Sequence, residues 1–199
     1  MKSLLVLLLT AAAAFSQSPA DIVTSAREQV GKTVTYDPAY VSLKYPGGDV
    51  PEDRGVCTDV IIRALRKALS VDLQKTVHED MTSNFSAYPK QWGLKTTDKS
   101  IDHRRVPNLM TFFKRSGLTQ PVSQKAEDYQ PGDLVTCTVP PNLPHIMIVS
   151  DKKTADGMPL VIHNIGRGAR EEDCLFTYPL TGHYRWKAAA AGKGTSAKQ

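Results

Sequence analysis

The spacing of apolar residues changes at Gly117, and this change constrains the fold more than any other feature. Before Gly117, apolar side chains recur every three to four residues, which predicts amphipathic helices. After it, short apolar or alternating segments are separated by turns, which predicts β-strands. Helices followed by consecutive strands indicate an α+β domain, with helices packed on a largely antiparallel sheet.

Four helices and five strands are expected along the chain. The helices are expected at Pro19–Gly31, at Cys57–Leu69, from Leu73 to a point before Tyr88, and at Pro107–Gly117. The strands are expected in the segments PGDLVTCTV, PHIMIVS, MPLVIHNIG, CLFTYPL and HYRW.

The two ends of the chain differ in composition from the rest. Residues 1–16 combine one lysine with a short leucine- and alanine-rich core, which is typical of a cleavable secretory signal peptide. This core is shorter than the roughly 18 apolar residues of a membrane-spanning helix, so we expect no stable membrane insertion after cleavage. Residues 187–199 predict a disordered basic tail. Residues 17–186 then form one periplasmic or secreted domain.

The positive charge of the chain is concentrated at its ends. The formal net charge is +5, and subtracting the four lysines of residues 1–16 and 187–199 leaves about +1 for the body. We therefore expect no nucleic-acid partner. A monomer without a cofactor or metal is the expected form.

Three cysteines are unusual in an oxidising compartment, because an odd number cannot all pair within the chain. Cys137 and Cys174 fall in expected strands. They are expected either to form a disulfide or to remain two buried thiols. Cys57 begins a helix, where unpaired N–H groups and the helix dipole favour a thiolate. Two interpretations stay open for Cys57: an activated nucleophile, or a small buried hydrophobic residue.

Two histidines on neighbouring expected strands supply partners for a nucleophilic thiol. His145 begins HIMIVS and His163 lies in LVIHNIG, and the DKKTADGM connection between them predicts a hairpin. Their imidazoles are expected to meet across the sheet, one as a base and one as the group that orients it. Asn164 is expected on the opposite face of the sheet.

Several motifs, taken in order, resemble known families. The segment YPGGDVPEDRGVCTDVIIRAL resembles the Gly-Gly approach and the cysteine helix start of the NlpC-type papain-like cell-wall peptidases. PGDLV, PHIMIV and VIHN follow the strand order of the same superfamily. VHEDM, IDHRRVPNL, HNIGRG and GHYRW make the chain more similar still to the bacterial family known as domain of unknown function 1287. The resemblance covers nearly all of residues 20–186.

The resemblance implies a papain-like cysteine peptidase or amidase. Cys57 would be the nucleophile, His145 the general base and acid, and His163 the residue that orients His145. The Cys57 N–H would form half of an oxyanion hole, and Tyr45 is the candidate for the other half. The expected substrate is peptidoglycan peptide or another amide, cleaved through an acyl-thioester.

Two alternatives keep the same fold. One is a non-catalytic cell-wall-binding module. The other is a zinc site with Cys57, His145 and His163 as ligands.

Other polar clusters have structural and functional interpretations. Residues 102–105 predict a solvated helix cap with an internal salt bridge, or a wall that binds substrate carboxylates. The arginines considered for this wall are Arg54, Arg104, Arg105, Arg167 and Arg170. His78, Glu79 and Asp80 fit no standard zinc spacing and are expected to form a hydrogen-bonded structural cluster.

Overall fold

The computed structural model describes residues 18–186, so the expected signal peptide and basic tail lie outside the described residues. Its helices are α1 (Pro19–Arg27), α2 (Cys57–Leu69), α3 (Leu73–Ser83) and α4 (Val106–Arg115). Its strands are β1 (Thr35–Tyr36), β2 (Arg54–Gly55), β3 (Thr119–Gln120), β4 (Leu134–Val139), β5 (Leu143–Lys153), β6 (Pro159–Asn164), β7 (Ala169–Glu172) and β8 (Leu180–Tyr184). Short 3-10 helices occupy Phe85–Ala87, Asp102–Arg104 and Ala126–Asp128.

The strands form one large and one small sheet. Six strands pair in the order β3-β8-β4-β5-β6-β7, and every pair is antiparallel. Strands β1 and β2 form a short parallel ladder just before α2. The large sheet follows the helices in sequence, as the change of apolar spacing predicts.

The two faces of the large sheet have separate apolar cores. Ile146 and Ile148 of β5 pack with the helices, including Val60 and Ile61 of α2. Met147, the residue between those two isoleucines, lies in a second core on the opposite face. Successive side chains of a strand point to opposite faces, so β5 contributes to both cores. This burial on both faces holds the strand that carries His145.

Helix α2 is the main helical contact of the sheet. Its apolar side chains repeat at helical spacing, and Val60, Ile61, Ala64 and Leu65 are fully buried. Ser70, in the left-handed conformation, ends the helix. Because α2 is anchored along its length, its first residue, Cys57, has a defined position against the sheet.

Several sequence-based assignments are wrong. The segment CLFTYPL is not a strand, because residues 175–177 form turns and Leu175 is buried in the second core. Strand β7, Ala169–Glu172, takes the place expected for that segment and was not predicted. Helix α1 ends at Arg27 rather than Gly31, and Val30 lies beyond it with 40% of its surface exposed.

The third helix is also shorter than its apolar spacing predicts. It ends at Ser83, and Phe85 belongs to a separate 3-10 turn. Within residues 18–186, no helix is both long enough and apolar enough to cross a membrane.

Candidate active site

Cys57 is the first residue of α2, and its backbone is fixed by contacts on both sides. Asp59 Oδ2 accepts a hydrogen bond from the Val56 N–H at 2.7 Å, which caps the start of the helix. Gly55 has φ +152°, and a Cβ there would lie 2.8 Å from Asp59 Oδ2. Only glycine fits this approach without displacing the cap.

A buried ion pair holds the same helix turn. Arg104 donates two hydrogen bonds of 2.9 Å to the carboxylate of Asp59, and both side chains are 2% exposed. Thr58 Oγ1 donates to the Arg104 carbonyl at 3.0 Å. The expected solvated cap at residues 102–105 is therefore wrong, because Asp102, His103 and Arg104 are buried. The segment instead clamps the turn that begins with Cys57.

Asn164 attaches the sheet to this turn. Its Nδ2 donates to the Gly55 carbonyl at 2.9 Å, and the side chain is fully buried. Asn164 lies next to His163 in β6, so the two side chains point to opposite faces of the sheet. Asn164 thus positions the approach to Cys57.

His145 and His163 meet as the hairpin predicts. His145 Nε2 lies 2.8 Å from His163 Nδ1, and the rings meet edge to face with centroids 5.0 Å apart. His163 Nε2 in turn lies 3.2 Å from Glu172 Oε2. Both rings are nearly fully buried, at 4% and 1% exposure. The three side chains form a linear series of hydrogen bonds from β5 through β6 to β7.

The Glu172 carboxylate determines which atom donates and which accepts in each hydrogen bond of this series. Glu172 accepts a hydrogen bond from His163 Nε2–H, because an ionised carboxylate only accepts hydrogen bonds. His163 Nδ1 is then the acceptor for His145 Nε2–H. Nδ1 of His145 remains as the nitrogen that can receive a proton from a thiol.

The Cys57 thiol lies beside the strand position that follows His145. The backbone N–H of Ile146 faces the thiol and, with the N–H groups of Thr58 and Cys57 itself, favours the thiolate. Among residues 18–186, however, no hydrogen bond joins Cys57 to His145. Catalytic hydrogen bonds are often long before substrate binds and shorten in the complex.

Burial favours the neutral form of both groups. It raises the pKa of the Cys57 thiol to about 12, against the opposing effect of the Ile146 N–H. It lowers the pKa of His145 to about 3, and the neighbouring His163 lowers it further. Burial also lowers the pKa of His163, opposed by its hydrogen bond to Glu172. The resting groups are therefore a thiol and a neutral imidazole.

Cys57 opens into a cavity of about 260 Å³. Its walls combine aromatic, basic and proline side chains, among them Tyr36, Trp92, Arg104, Arg105 and Pro144. Arg105 stacks on the Trp92 ring, with its guanidinium carbon 4.2 Å from the ring centroid. A cavity of this composition can hold a polar, partly apolar segment against the thiol.

Tyr36, and not Tyr45, lies near Cys57. Tyr36 pairs with Gly55 through the β1–β2 ladder, and burial together with the adjacent Cys57 raises its pKa. Tyr45 packs instead against His78, with ring centroids 5.2 Å apart, and is not among the residues that line the Cys57 cavity. The geometry thus favours Tyr36 over Tyr45 as an oxyanion donor. No local motif identifies Tyr36, because its position depends on strand pairing.

The five candidate substrate-binding arginines have different surroundings. Arg170 donates to the Arg167 carbonyl at 3.3 Å and does not line the Cys57 cavity. Arg104 forms its ion pair with Asp59. Arg54 pairs with Asp53 and Asp37 outside the cavity. Arg167 is 68% exposed and lies 3.6 Å from Glu172. Arg105 lines the cavity, and its partner Asp102 is 3.6 Å away, beyond hydrogen-bond length.

The alternative zinc site of Cys57, His145 and His163 is not formed among the described residues. Of the described residues, one group can converge on a metal: His163, Glu172 and Cys174. This group contains neither Cys57 nor His145. All three cysteines are free thiols.

The expected cluster around His78 is centred on Asp80. Its carboxylate accepts hydrogen bonds from Tyr88, Asn84 and Arg115. The Nδ1 of His78 is buried and has no hydrogen-bond partner among the described residues.

Comparison with known proteins identifies relatives at two levels. The uncharacterized protein YijF of Escherichia coli is 59% identical over 165 residues, which span 83% of this chain and 80% of YijF. An N-acetylmuramoyl-L-alanine amidase from Bacteroides uniformis is similar in structure, with a TM-score of 0.50 and 13% identity over 83% of this chain and 96% of the amidase. NlpC1 from Trichomonas vaginalis has a TM-score of 0.43 and 15% identity, and the match spans 83% of this chain but only 44% of NlpC1.

The similarity to the amidase and the element order confirm the α+β, papain-like fold. At 13% identity, the structural similarity to the amidase concerns the fold alone. The family match is more direct, because it spans residues 23–186. The chain therefore belongs to the family described as Domain of unknown function (DUF1287).

Proposed function

We propose that the protein is a thiol hydrolase that cleaves an amide bond through Cys57, His145 and His163. The proposal rests on the 2.8 Å His145–His163 hydrogen bond and on a helix-start cysteine that lines a cavity and faces the backbone N–H of Ile146, the residue after His145. A nucleophile, a base and a group that orients the base are the parts that amide hydrolysis requires.

The acylation step begins with proton transfer from Cys57 Sγ to His145 Nδ1. The sulfur attacks the carbonyl carbon of the amide and forms a tetrahedral intermediate. His145 then gives the proton to the departing amine as the carbon–nitrogen bond breaks, which leaves an acyl-thioester on Cys57. His163 accepts the hydrogen bond of His145 Nε2–H throughout, which holds the His145 ring and leaves its Nδ1 without a proton.

Deacylation uses the same groups. A water molecule loses a proton to His145 Nδ1 and attacks the thioester carbonyl. The carbon–sulfur bond breaks, the thiolate takes the proton back from His145, and a carboxylic acid product leaves.

The developing oxyanion requires two donors. The Cys57 backbone N–H lies at the N-terminus of α2, where the helix dipole favours negative charge. The Tyr36 hydroxyl is the second donor in this proposal, since Tyr36 lines the same cavity.

A peptide of peptidoglycan is the proposed substrate, and the periplasm or the extracellular space is the proposed location. The amidase with a similar fold and the signal-like residues 1–16 support this choice. Arg105 is the proposed contact for a substrate carboxylate, because it lines the cavity and an arginine fork fits a carboxylate.

A non-catalytic cell-wall-binding module is the second candidate. One observation favours it: the buried thiol has a raised pKa and no hydrogen bond to His145 among residues 18–186. In that case Cys57 acts as a small core residue at the start of α2.

Muropeptide digestion separates the two candidates. Under reducing conditions, wild-type protein should convert a muropeptide into two fragments whose masses sum to the substrate plus one water. Cys57→Ala should abolish this cleavage, and Cys137→Ala should retain it because Cys137 lies outside the cavity. Binding to insoluble peptidoglycan that is equal in wild type and Cys57→Ala, with no cleavage by either, would favour the binding module.

A further inference from the structure

Three metal-binding side chains converge at the outer end of the histidine series. His163 Nε2, a carboxylate oxygen of Glu172 and the Sγ of Cys174 all lie within 4.8 Å of one another. His163 belongs to β6 and Glu172 to the adjacent β7, while Cys174 follows two residues later. The group is distinct from Cys57 and His145.

The two separations from His163 Nε2 match edges of a zinc tetrahedron. Zinc binds nitrogen and oxygen at about 2.0–2.1 Å and sulfur at about 2.3 Å, so a tetrahedron separates N from O by about 3.3 Å and N from S by about 3.6 Å. His163 Nε2 lies 3.2 Å from Glu172 Oε2 and 3.6 Å from Cys174 Sγ. An ion could therefore enter with little movement of His163.

The donors are also chemically suited and reachable. Imidazole, thiolate and carboxylate are the three protein ligands of zinc, and three of them leave a fourth position for water. Glu172 and Cys174 are partly exposed, and Cys174 lines a second cavity of about 300 Å³. Arg167 Nη2 faces the other carboxylate oxygen, Oε1, at 3.6 Å and leaves Oε2 directed at His163.

We propose that His163, Glu172 and Cys174 form a binding site for a zinc-like divalent cation, and that its occupation switches off the thiol hydrolase. The first part depends only on the three ligands. The second part rests on the proposed function of Cys57 and His145.

Inhibition follows from the change that a bound metal imposes on the tautomers of His163 and His145. A metal on His163 Nε2 displaces the proton from that nitrogen, so the neutral ring carries its proton on Nδ1. His163 then donates to His145 Nε2 instead of accepting from it. His145 must carry its own proton on Nδ1, which can no longer accept the proton of Cys57.

Cobalt substitution tests the site without any substrate. Co²⁺ added to the reduced protein should give one bound equivalent and a sulfur-to-cobalt charge-transfer band, and zinc should remove the band. Cys174→Ala should abolish the band, whereas Cys57→Ala and Cys137→Ala should keep it. Absence of the band in wild type would overturn the site, and so would a band that depends on Cys57.

Alkylation of Cys57 tests the coupling. Saturating zinc should slow iodoacetamide modification of Cys57 at neutral pH by at least about tenfold, measured on the Cys57 peptide by mass spectrometry. In Cys174→Ala the same zinc concentration should have little effect, which excludes direct binding of zinc to Cys57. An unchanged Cys57 rate in zinc-loaded wild type would overturn inhibition while the cobalt result still decides the site. A failure of muropeptide hydrolysis affects neither readout.

Discussion

At the scale of single residues, each group of the candidate site depends on its neighbour for its protonation state. Glu172 fixes the tautomer of His163, and His163 fixes that of His145, whose Nδ1 is left without a proton. Isolated, each histidine would be an ordinary buried imidazole with a lowered pKa. The protonation state of each histidine therefore depends on the whole series of hydrogen bonds and not on that residue alone.

Tyr36 gives the sharpest prediction at this scale. Tyr36→Phe should lower kcat for amide cleavage by about 10²–10³-fold, as loss of an oxyanion donor does. The rate of Cys57 alkylation should stay unchanged, because alkylation forms no oxyanion. Steady-state kinetics on a cleaved muropeptide measure the first effect.

Tyr45→Phe is the matched control. Tyr45 packs on His78 and is not among the residues that line the cavity, so its hydroxyl should not affect kcat. An equal loss in Tyr36→Phe and Tyr45→Phe, or no loss in Tyr36→Phe, would remove Tyr36 from the mechanism.

Sequence reasoning reached some of these residues and not others. Cys57, His145 and His163 carry local signals, namely a helix start and two strands joined by a short turn. Tyr36 and Glu172 carry none, because they reach the site through the β1–β2 and β6–β7 pairings. Pairing between short strands depends on tertiary contacts that spacing along the chain does not encode.

At the scale of elements, the first turn of α2 is positioned by three separate segments. Asp59 caps the turn, Arg104 clamps it from residues 102–104, and Asn164 attaches it to β6. Cys57 is thus held on rigid elements, as the proposed nucleophile of a preorganised site requires.

Loss of Arg104 should cost stability because it leaves a buried carboxylate. Arg104→Met removes both hydrogen bonds to Asp59, so the free energy of unfolding should fall by about 3–5 kcal/mol. Urea unfolding of the reduced protein measures this change. Adding Asp59→Asn should recover part of the loss, since no uncompensated charge then remains.

Arg54→Met is the comparison for that variant. Its partner Asp53 is 54% exposed, so the change should cost less than about 1 kcal/mol. Similar losses in Arg104→Met and Arg54→Met would mean that the Asp59–Arg104 pair does not hold the turn.

The elements that sequence predicted best are those with a clear period. Helix α2 begins at Cys57 and ends at Leu69, as its apolar face indicates. CLFTYPL was mistaken for a strand because its apolar residues cover the second core as turns around Leu175. A short apolar run does not by itself distinguish a strand from a loop that packs on a sheet.

At the scale of the whole molecule, the buried histidines make the fold sensitive to acid. Burial lowers the pKa of His103 to about 4 and that of His145 to about 3, and also lowers that of His163. The unfolded chain binds protons at these residues near pH 6.5, before the folded protein does. Stability is therefore full above about pH 6.5 and falls as the pH drops below it.

Urea unfolding at about pH 7 and about pH 5.5 checks this linkage. Each buried histidine should lower the free energy of unfolding by up to about 1.4 kcal/mol per pH unit. His103→Gln should make the pH dependence shallower by roughly a third, because one of three titrating groups is removed. Stability that is equal or greater at the lower pH would contradict the assigned burial of these residues.

The overall architecture was more predictable than the site. The order of helices before strands indicated α+β, and the family motifs indicated the papain-like fold now described. The sequence did not indicate that residues 102–104 are buried against Asp59, since their charges are typical of an exposed segment. Tertiary ion pairs of this kind are read only from the folded chain.

The central claim is that Cys57 and His145 share one proton, and the pH dependence of Cys57 alkylation tests it most directly. The reaction with iodoacetamide is followed on the Cys57 peptide by mass spectrometry, with a chelator present to keep metal from His163. A thiol and imidazole that exchange a proton internally keep the same proton count across neutral pH. The wild-type rate should therefore change less than about twofold between about pH 6 and pH 8. In His145→Ala the rate should fall about tenfold for each unit by which the pH is lowered. A wild-type rate that also falls tenfold per unit, or a Cys57 that does not react at all, would contradict the proton-sharing pair and the hydrolase built on it.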